Sequence, residues 1–254
     1  MFATPRATRA AGDVALAADA IARGELVVMP TDTVYGLAVD PRQPEAVARL
    51  FAVKRRPAGL VLPVLVANLE QLEQVAADLS PQAQALIEAF WPGPLTLVVR
   101  TNPAADLHLS PESQAPAATV AVRQPAHPVA LELLEATGPL AVTSANLSAQ
   151  PPATTIAEAR LQLDAQPGLP QVAVYLEAGP ASEPLSPLGG DDAARPARDS
   201  LSNCSPGHAA GLDSAGVGGA ASTIVDVSGG GAKVLRQGPV SAAAIAAVLE
   251  GSGR

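Results

Sequence analysis

The sequence predicts an α/β fold in which a mixed β-sheet is flanked by helices. Short apolar runs typical of buried strands alternate with longer segments that carry helical periodicity and helix caps. Several apolar runs follow one another too closely to leave room for a helix, which favours some antiparallel pairing. The chain has 254 residues, of which 48% are apolar but only 2% aromatic, so its core must consist largely of Ala, Val, Leu and Ile.

Capping residues indicate where the helices begin. Asp13 is predicted to cap a helix over 14–23, and Asn68 and Ser80 to cap the helices that follow them. The tetrapeptide TIAE at 155–158 has the spacing of a capping box. The remaining helices are predicted at 44–51, 128–137 and 241–249.

Strands are predicted where apolar runs lie between turn residues. The run LVLPVLVA at 60–67 is typical of a buried strand, and LVVM at 26–29 leads directly into a polar loop. The other predicted strands are 95–100, 119–123, 140–143, 172–176, 223–227 and 233–236.

The predicted organisation is one domain over 13–250, preceded by a flexible tail at 1–12 and interrupted by an insertion at 181–219. The insertion contains 7 Gly, 4 Pro and 6 Ser and no aromatic residue. Such a composition cannot bury enough apolar surface to offset the entropy of ordering, so the segment is predicted to be disordered. A strand resumes immediately afterwards, which indicates an interrupted domain and not two domains.

Composition and charge exclude several classes of function. The net charge of −8 makes attraction to nucleic acid or anionic lipid unfavourable by default. Cys204 is the single cysteine, so the chain has no internal disulfide and no Cys-rich metal site. No apolar run reaches the length of about 18 residues that a membrane span needs. We interpret the chain as cytoplasmic, with no membrane association and no metal-ligand cluster.

Polar groups gather at the predicted ends of strands. PTDTVYGL (30–37) and TSANLS (143–148) each follow a buried strand with hydroxyls or an amide. In open α/β sheets, small polar ligands bind beyond strand ends, although an ordinary hydrogen-bonded turn would look similar.

Cations occupy three separated places on this acidic chain. Lys54 and Arg56 lie in KRRP at a predicted helix end, while Arg123 and Arg236 each end a predicted strand. Each position has an ordinary interpretation as a surface ion pair or a complement to the helix dipole. Together with the hydroxyls, they suggest a pocket for a small polyanion, in which an arginine holds a carboxylate with two hydrogen bonds.

The motifs as a set resemble the YrdC-like family. PTDTVYGL, KRRP, WPGPLT, VAVRQPAHP, TSANLS, STIVD and LRQGPVS occur in the family's order and cover about residues 13–180 and 219–250. The resemblance implies a twisted sheet around an open cavity. It also implies that L-threonine, bicarbonate and ATP, with Mg²⁺, give threonylcarbamoyl-AMP and pyrophosphate. The product would pass to a separate transferase complex that modifies an adenosine of tRNA.

The resemblance also implies residue roles. Thr31, Arg123 and Val142 match threonine-binding positions. Lys54 and Arg56 match the catalytic basic pair facing the triphosphate and bicarbonate.

ATP-binding roles are carried over in the same way. The matching positions are Lys54, Thr119, Ser144, Asn146 and Arg236.

The sequence departs from the family pattern in three places. AGLVL at 58–62 replaces a polar run, Pro152 replaces a hydroxyl residue, and the insertion at 181–219 replaces a shorter loop. These departures leave open an alternative, a YrdC-like RNA-binding or ribosome-assembly factor without synthase activity, and with it weak RNA binding. A third interpretation is a carbamoyl-adenylate activity like that of the related domain in hydrogenase maturation factors.

Overall fold

The computed structural model describes residues 7–8, 11–112, 118–164, 168–177 and 219–251. Within these ranges, ten strands form one sheet and seven helices pack around it. The strands are β1 (Ala7–Thr8), β2 (Leu26–Met29), β3 (Gly36–Val39), β4 (Val64–Leu65), β5 (Leu95–Arg100), β6 (Thr119–Arg123), β7 (Leu140–Ser144), β8 (Val172–Leu176), β9 (Thr223–Asp226) and β10 (Lys233–Arg236). The helices are α1 (Ala11–Ala22), α2 (Pro44–Lys54), α3 (Leu69–Val75), α4 (Pro81–Phe90), α5 (Pro128–Thr137), α6 (Ile156–Leu163) and α7 (Ala242–Gly251).

The sheet is twisted, mixed and open, as predicted. Its strand order is β1-β8-β2-β3-β7-β4-β6-β5-β9-β10, so β1 and β10 are its edges. The pairs β1–β8, β8–β2, β4–β6 and β5–β9 are parallel, and the other neighbours are antiparallel. None of the described helices combines the length and hydropathy that a membrane-spanning helix requires.

Two apolar clusters hold the helices to the two faces of the sheet. On one face, α1 and α5 pack against the β8-β2-β3-β7 half, where Val27 and Leu140 are fully buried. On the other face, α2 and α4 belong to a larger cluster that includes Leu50, Leu86 and Leu97. Since aliphatic side chains supply nearly all of this contact, the core has the composition that the sequence predicts.

One half of one sheet face lacks this cover. Ala121, Val98 and Ile224 lie on the same face as Leu140, yet they are only half-buried. Their neighbours on the opposite face, such as Val122 and Leu97, are fully buried. We call the partly exposed surface of β6, β5 and β9 the open face; it matches the open cavity that the resemblance implies.

Most predicted helix starts are confirmed. The side chains of Asn68 and Ser80 accept hydrogen bonds from backbone N–H groups at 2.9 and 3.1 Å. Thr155 caps α6 by accepting from the Glu158 N–H at 3.2 Å. The assignment of Asp13 as a cap is wrong, because α1 already begins at Ala11 and Asp13 lies in its first turn, where an acid still complements the helix dipole.

Two strand assignments near the site need correction. The strand predicted at 60–67 is reduced to Val64–Leu65, and Leu60 and Val61 are about half exposed. Pro63 has no N–H to donate to a ladder, and the preceding segment forms a turn. β3 was not predicted, because its short run GLAV begins with glycine and directly follows the polar loop.

The predicted domain limits are only partly within the described residues. Ala7–Thr8 form β1 and pair parallel with β8, within the stretch predicted as a tail. Of the predicted insertion, only Gly219 is described, and the prediction for 181–218 lies outside the described residues.

The segment that follows β10 packs against the start of β9, and this contact gives a stability prediction. The buried Thr223 hydroxyl donates to the Val240 carbonyl at 2.8 Å and accepts from the Gly238 N–H at 2.9 Å. A Cβ on Gly238 would lie 2.4 Å from the Ala221 carbonyl oxygen and 2.5 Å from the Thr223 nitrogen. We expect Gly238→Ala to lower the free energy of unfolding by about 1–3 kcal/mol, since backbone atoms cannot move aside easily. Urea denaturation measures this change.

Gly230→Ala is the matched control, because a Cβ there meets nothing within 4 Å. We expect its urea midpoint to stay close to that of the unchanged chain. Equal midpoints for both variants would contradict the tight approach at Gly238.

Candidate functional site

Strand register places four predicted site residues of β6 and β7 on one face of the sheet. Leu65 of β4 pairs with Arg123 of β6 and with the first residue of β7, so all three share a face. Alternate residues of a strand point to the same face. Thr119 therefore shares the face of Arg123, and Val142 and Ser144 join them.

Arg236 reaches the same face from the edge strand. Its guanidinium donates from Nε and Nη2 to the Ser222 carbonyl at 3.0 and 2.9 Å. The Ser222 hydroxyl lies 2.8 Å from the Thr96 hydroxyl on β5. In the strand register Arg236 pairs with Ile224, which lies on the open face. The register and these contacts bring both arginines to the open face.

Arg123 is buried and donates a hydrogen bond from each of its three guanidinium nitrogens. It is 5% exposed, and its Nε donates to the Gly93 carbonyl at 2.9 Å. Nη1 donates to the Thr33 hydroxyl at 2.8 Å, and Nη2 forms an ion pair with the Asp32 carboxylate. Burial lowers the pKa of Arg123, and Asp32 opposes that shift. An arginine stays charged under such conditions, so the site holds a fixed buried cation.

The loop 30–35 between β2 and β3 forms the wall beside Arg123. The Thr31 hydroxyl donates to the Val34 carbonyl at 2.6 Å and accepts from the Thr33 N–H at 3.2 Å. Thr31 is 3% exposed, so its hydroxyl shapes the loop and does not face solvent. Through these bonds Thr31 sets the position of Thr33, which contacts Arg123 directly.

Asp32 is the functional candidate that sequence reasoning did not single out. Its side chain is 7% exposed, and Oδ1 accepts from Arg123 and from the Ala126 N–H at 3.0 Å. Oδ2 is buried without a hydrogen-bond partner among the described residues. Asp32 is the only acid within the polar octapeptide, which could have signalled a partner for a buried arginine, but the pairing spans 91 residues of sequence.

Lys54 ends α2 and is fixed to the segment after β7. Its ammonium group donates to the carbonyls of Ser144 and Asn146 and to the Asn146 side-chain oxygen at 3.3 Å. The Lys54 carbonyl in turn accepts from the Ser148 N–H at 2.9 Å. Burial first, and then the charge of Arg56, lowers the pKa of Lys54 to about 7. Both protonation states are therefore populated near neutral pH.

Arg56 lies two residues further on. Its guanidinium stacks 5.7 Å from the Phe51 ring centroid, and Nη2 donates to the Val61 carbonyl at 3.3 Å. Burial lowers its pKa, and its Nε is buried without a hydrogen-bond partner among the described residues. Arg56 thus faces the apolar 58–62 segment in this structure while remaining close to Lys54.

The predicted residues fall into two groups that share one wall. Lys54, Ser144 and Asn146 form one group, and the other centres on Arg123. The Tyr35 carbonyl accepts from the Ala145 N–H at 2.8 Å, which ties the loop 30–35 to the first group.

Thr119 marks the far limit of the site. It lies four residues from Arg123 on β6, about 13 Å along a strand. The arrangement can therefore hold an extended, anionic ligand along the open face.

The chain is similar to known proteins over most of its length. The Sua5_yciO_yrdC family model, described as Telomere recombination, matches residues 19–185. A Mycobacterium tuberculosis protein provisionally named threonylcarbamoyl-AMP synthase is 39% identical over 233 residues, which cover 92% of this chain and 87% of the relative. The Bacillus subtilis threonylcarbamoyl-AMP synthase is 38% identical over 66% of this chain, which spans 46% of that protein's length.

Solved structures show the same fold. The crystal structure of Pyrococcus abyssi Sua5 complexed with L-threonine has a TM-score of 0.71 and 28% identity and covers 96% of this chain, which spans 59% of that longer chain. Escherichia coli YciO has a TM-score of 0.66 and covers 92% of both chains, and its 19% identity supports the fold alone. The extent of the family match and the identity to the mycobacterial relative establish that this chain belongs to the Sua5/YciO/YrdC family.

Proposed function

We propose that this chain is a threonylcarbamoyl-AMP synthase, which converts L-threonine, bicarbonate and ATP into threonylcarbamoyl-AMP and pyrophosphate. The observation that carries the proposal is the strand register that puts Arg123, Arg236 and Thr119 on the open face. Ser144 lies on the same side of the sheet, in the neighbouring half that α1 and α5 cover. Relatives that carry the synthase name, and a structural neighbour crystallised with L-threonine, support the same activity.

The threonine end of the site is assigned to Arg123, Thr31 and Val142. The Arg123 guanidinium supplies paired N–H donors for a carboxylate, and the loop containing Thr31 holds it in place. Val142 is 6% exposed, and its Cγ1 occupies the space where a Cβ on Gly36 would lie. We assign Val142 an apolar contact with the substrate side chain because it shares the sheet face of Arg123.

The nucleotide end is assigned to Thr119, Ser144, Asn146 and Arg236, and to Lys54, which binds Ser144 and Asn146. Hydroxyl and amide groups can bind the nucleoside. Arg236 and Lys54 can offset the charge of the phosphates. Arg56 is assigned to the bicarbonate and triphosphate side because of its position next to Lys54.

The reaction requires two bond-forming steps. The threonine amine attacks bicarbonate, and water leaves as the carbamate forms. A carbamate oxygen then attacks the α-phosphorus of ATP while the bond to pyrophosphate breaks. In this proposal the protein orients the reactants and stabilises negative charge on the leaving group, with no covalent intermediate on a side chain.

Mg²⁺ would enter with the nucleotide. The described residues contain no cluster of three or more His, Cys, Asp or Glu side chains suited to a metal. Mg²⁺ commonly keeps several waters and binds to substrate phosphates. The phosphates of ATP would therefore hold the ion, with no need for a cluster of protein ligands. We place the reaction in the cytoplasm and infer that the product passes to a separate tRNA-modifying transferase.

Pyrophosphate release tests the proposed function. With ATP, Mg²⁺ and bicarbonate present, we expect release to depend on added L-threonine. Release that is absent from a folded sample, or that is the same without threonine, would contradict the synthase assignment.

Arg123→Lys separates threonine binding from ATP binding. Lysine keeps a positive charge beside Asp32 but loses the planar fork that binds a carboxylate through two hydrogen bonds. We expect the KM for threonine to rise at least about tenfold, while the Kd for ATP changes less than about twofold. Steady-state kinetics and ATP titration measure the two effects, and an equal loss of both would contradict the assignment.

The lowered pKa of Lys54 predicts that ATP binding is accompanied by proton uptake. Since its pKa is about 7, the amine is mostly neutral at pH 8 in the free protein. Phosphates near the ammonium group favour its charged form and raise this pKa, so binding at pH 8 should take up as much as about one proton per site. Calorimetry in two buffers with different ionisation enthalpies measures the uptake. Lys54→Arg, whose charge is permanent, should show no such buffer dependence, and an equal response of both proteins would exclude Lys54 as the source.

A further inference from the structure

The two oxygens of the Asp32 carboxylate have different surroundings. Oδ1 receives both the Arg123 guanidinium and the Ala126 N–H. Oδ2 receives no hydrogen bond from the described residues, although the side chain is only 7% exposed. An unpaired oxygen of a buried carboxylate is unfavourable, and such groups normally have a partner. Oδ2 therefore has the capacity for one more donor.

Arg123 has spare capacity next to this oxygen. A guanidinium carries five N–H bonds, and the described contacts use one each on Nε, Nη1 and Nη2. Two N–H bonds remain for another acceptor. The ion pair thus presents unused donors beside an unused anionic acceptor.

We propose that Asp32 is a substrate-binding residue whose Oδ2 accepts a hydrogen bond from the α-amino group of the amino acid while Arg123 holds its carboxylate. This inference rests on the proposed function and deepens it by naming the group that recognises the amine. An α-amino acid carries its ammonium and carboxylate on the same carbon. Asp32 and Arg123, in direct contact, present the complementary charges at a similarly short separation.

The contact with Asp32 is compatible with the chemistry. The amine must be neutral to attack bicarbonate, and a neutral amine still has two N–H bonds. One of them can stay on Oδ2 while the lone pair points to the carbon that is attacked. Asp32 would thereby orient the nucleophile as well as select a substrate that carries a free amine.

His127 follows Ala126, whose N–H binds the Asp32 carboxylate. It precedes α5, and its Nδ1 is buried without a hydrogen-bond partner among the described residues. Burial lowers its pKa, while the negative charge of Asp32 acts in the opposite direction. Burial, the larger of the two effects, favours the uncharged imidazole of His127.

Binding of L-threonine and of 3-hydroxybutanoate, which has hydrogen in place of the amine, tests the inference. Calorimetric titration of the full chain should show threonine binding about 10- to 100-fold more tightly than the analogue. Asp32→Asn keeps an oxygen for Arg123 but removes the anionic acceptor, so the preference should fall to within about twofold. Asp78→Asn is the matched control, since that carboxylate pairs with Arg100 at 3.7 Å but is 95% exposed. It should keep the original preference.

Each outcome has a distinct meaning. Equal affinity of the unchanged chain for the two compounds would overturn the inference, and this measurement does not depend on how the variant folds. A loss of affinity in Asp32→Asn that is the same for both compounds would show that Asp32 only holds Arg123, and would also overturn it. A chain that binds neither compound and releases no pyrophosphate would overturn the proposed function together with the inference.

Discussion

The buried guanidinium of Arg123 is the constraint on which the arrangement of the site depends. Removing a charge from water is unfavourable unless a counter-charge and hydrogen-bond acceptors surround it. Here the three acceptors come from two parts of the chain: Gly93 before β5, and the neighbouring Asp32 and Thr33 in the loop after β2. Satisfying one side chain therefore fixes the loop 30–35 against the end of β6 and positions the wall of the site.

Lys54 has a comparable effect at the other end of that wall. Its ammonium group binds carbonyls of the segment that follows β7, and its own carbonyl accepts from Ser148. These bonds join the end of α2 to the end of a central strand. Both cations thus organise backbone segments in the structure as well as carrying charge for an anionic ligand.

Local signals and long-range pairing were not equally predictable from sequence. The caps at Asn68 and Ser80 were predictable because a cap depends on residues three positions apart. The cationic and hydroxyl positions at strand ends could also be selected, with help from a family resemblance. The role of Asp32 could not be predicted, because its partner lies far away in sequence and nothing local distinguishes a buried carboxylate from one in an exposed turn.

The segment 60–67 was misassigned for a related reason. Its apolar residues suggested a buried strand, whereas in the folded chain only Val64–Leu65 pair with neighbouring strands.

The position of Arg236 on an edge strand has a consequence for local stability. Among the described strands β10 pairs with β9 alone, and all four of its residues are exposed. Backbone hydrogen bonds at such an edge open at a lower free energy than those of central strands, so amide hydrogen exchange is faster there. We therefore expect the segment that carries Arg236 to unfold locally more readily than the buried segment that carries Arg123. Under the proposed function, the nucleotide end of the site could open and close by local unfolding of the sheet edge while the amino-acid end kept its geometry.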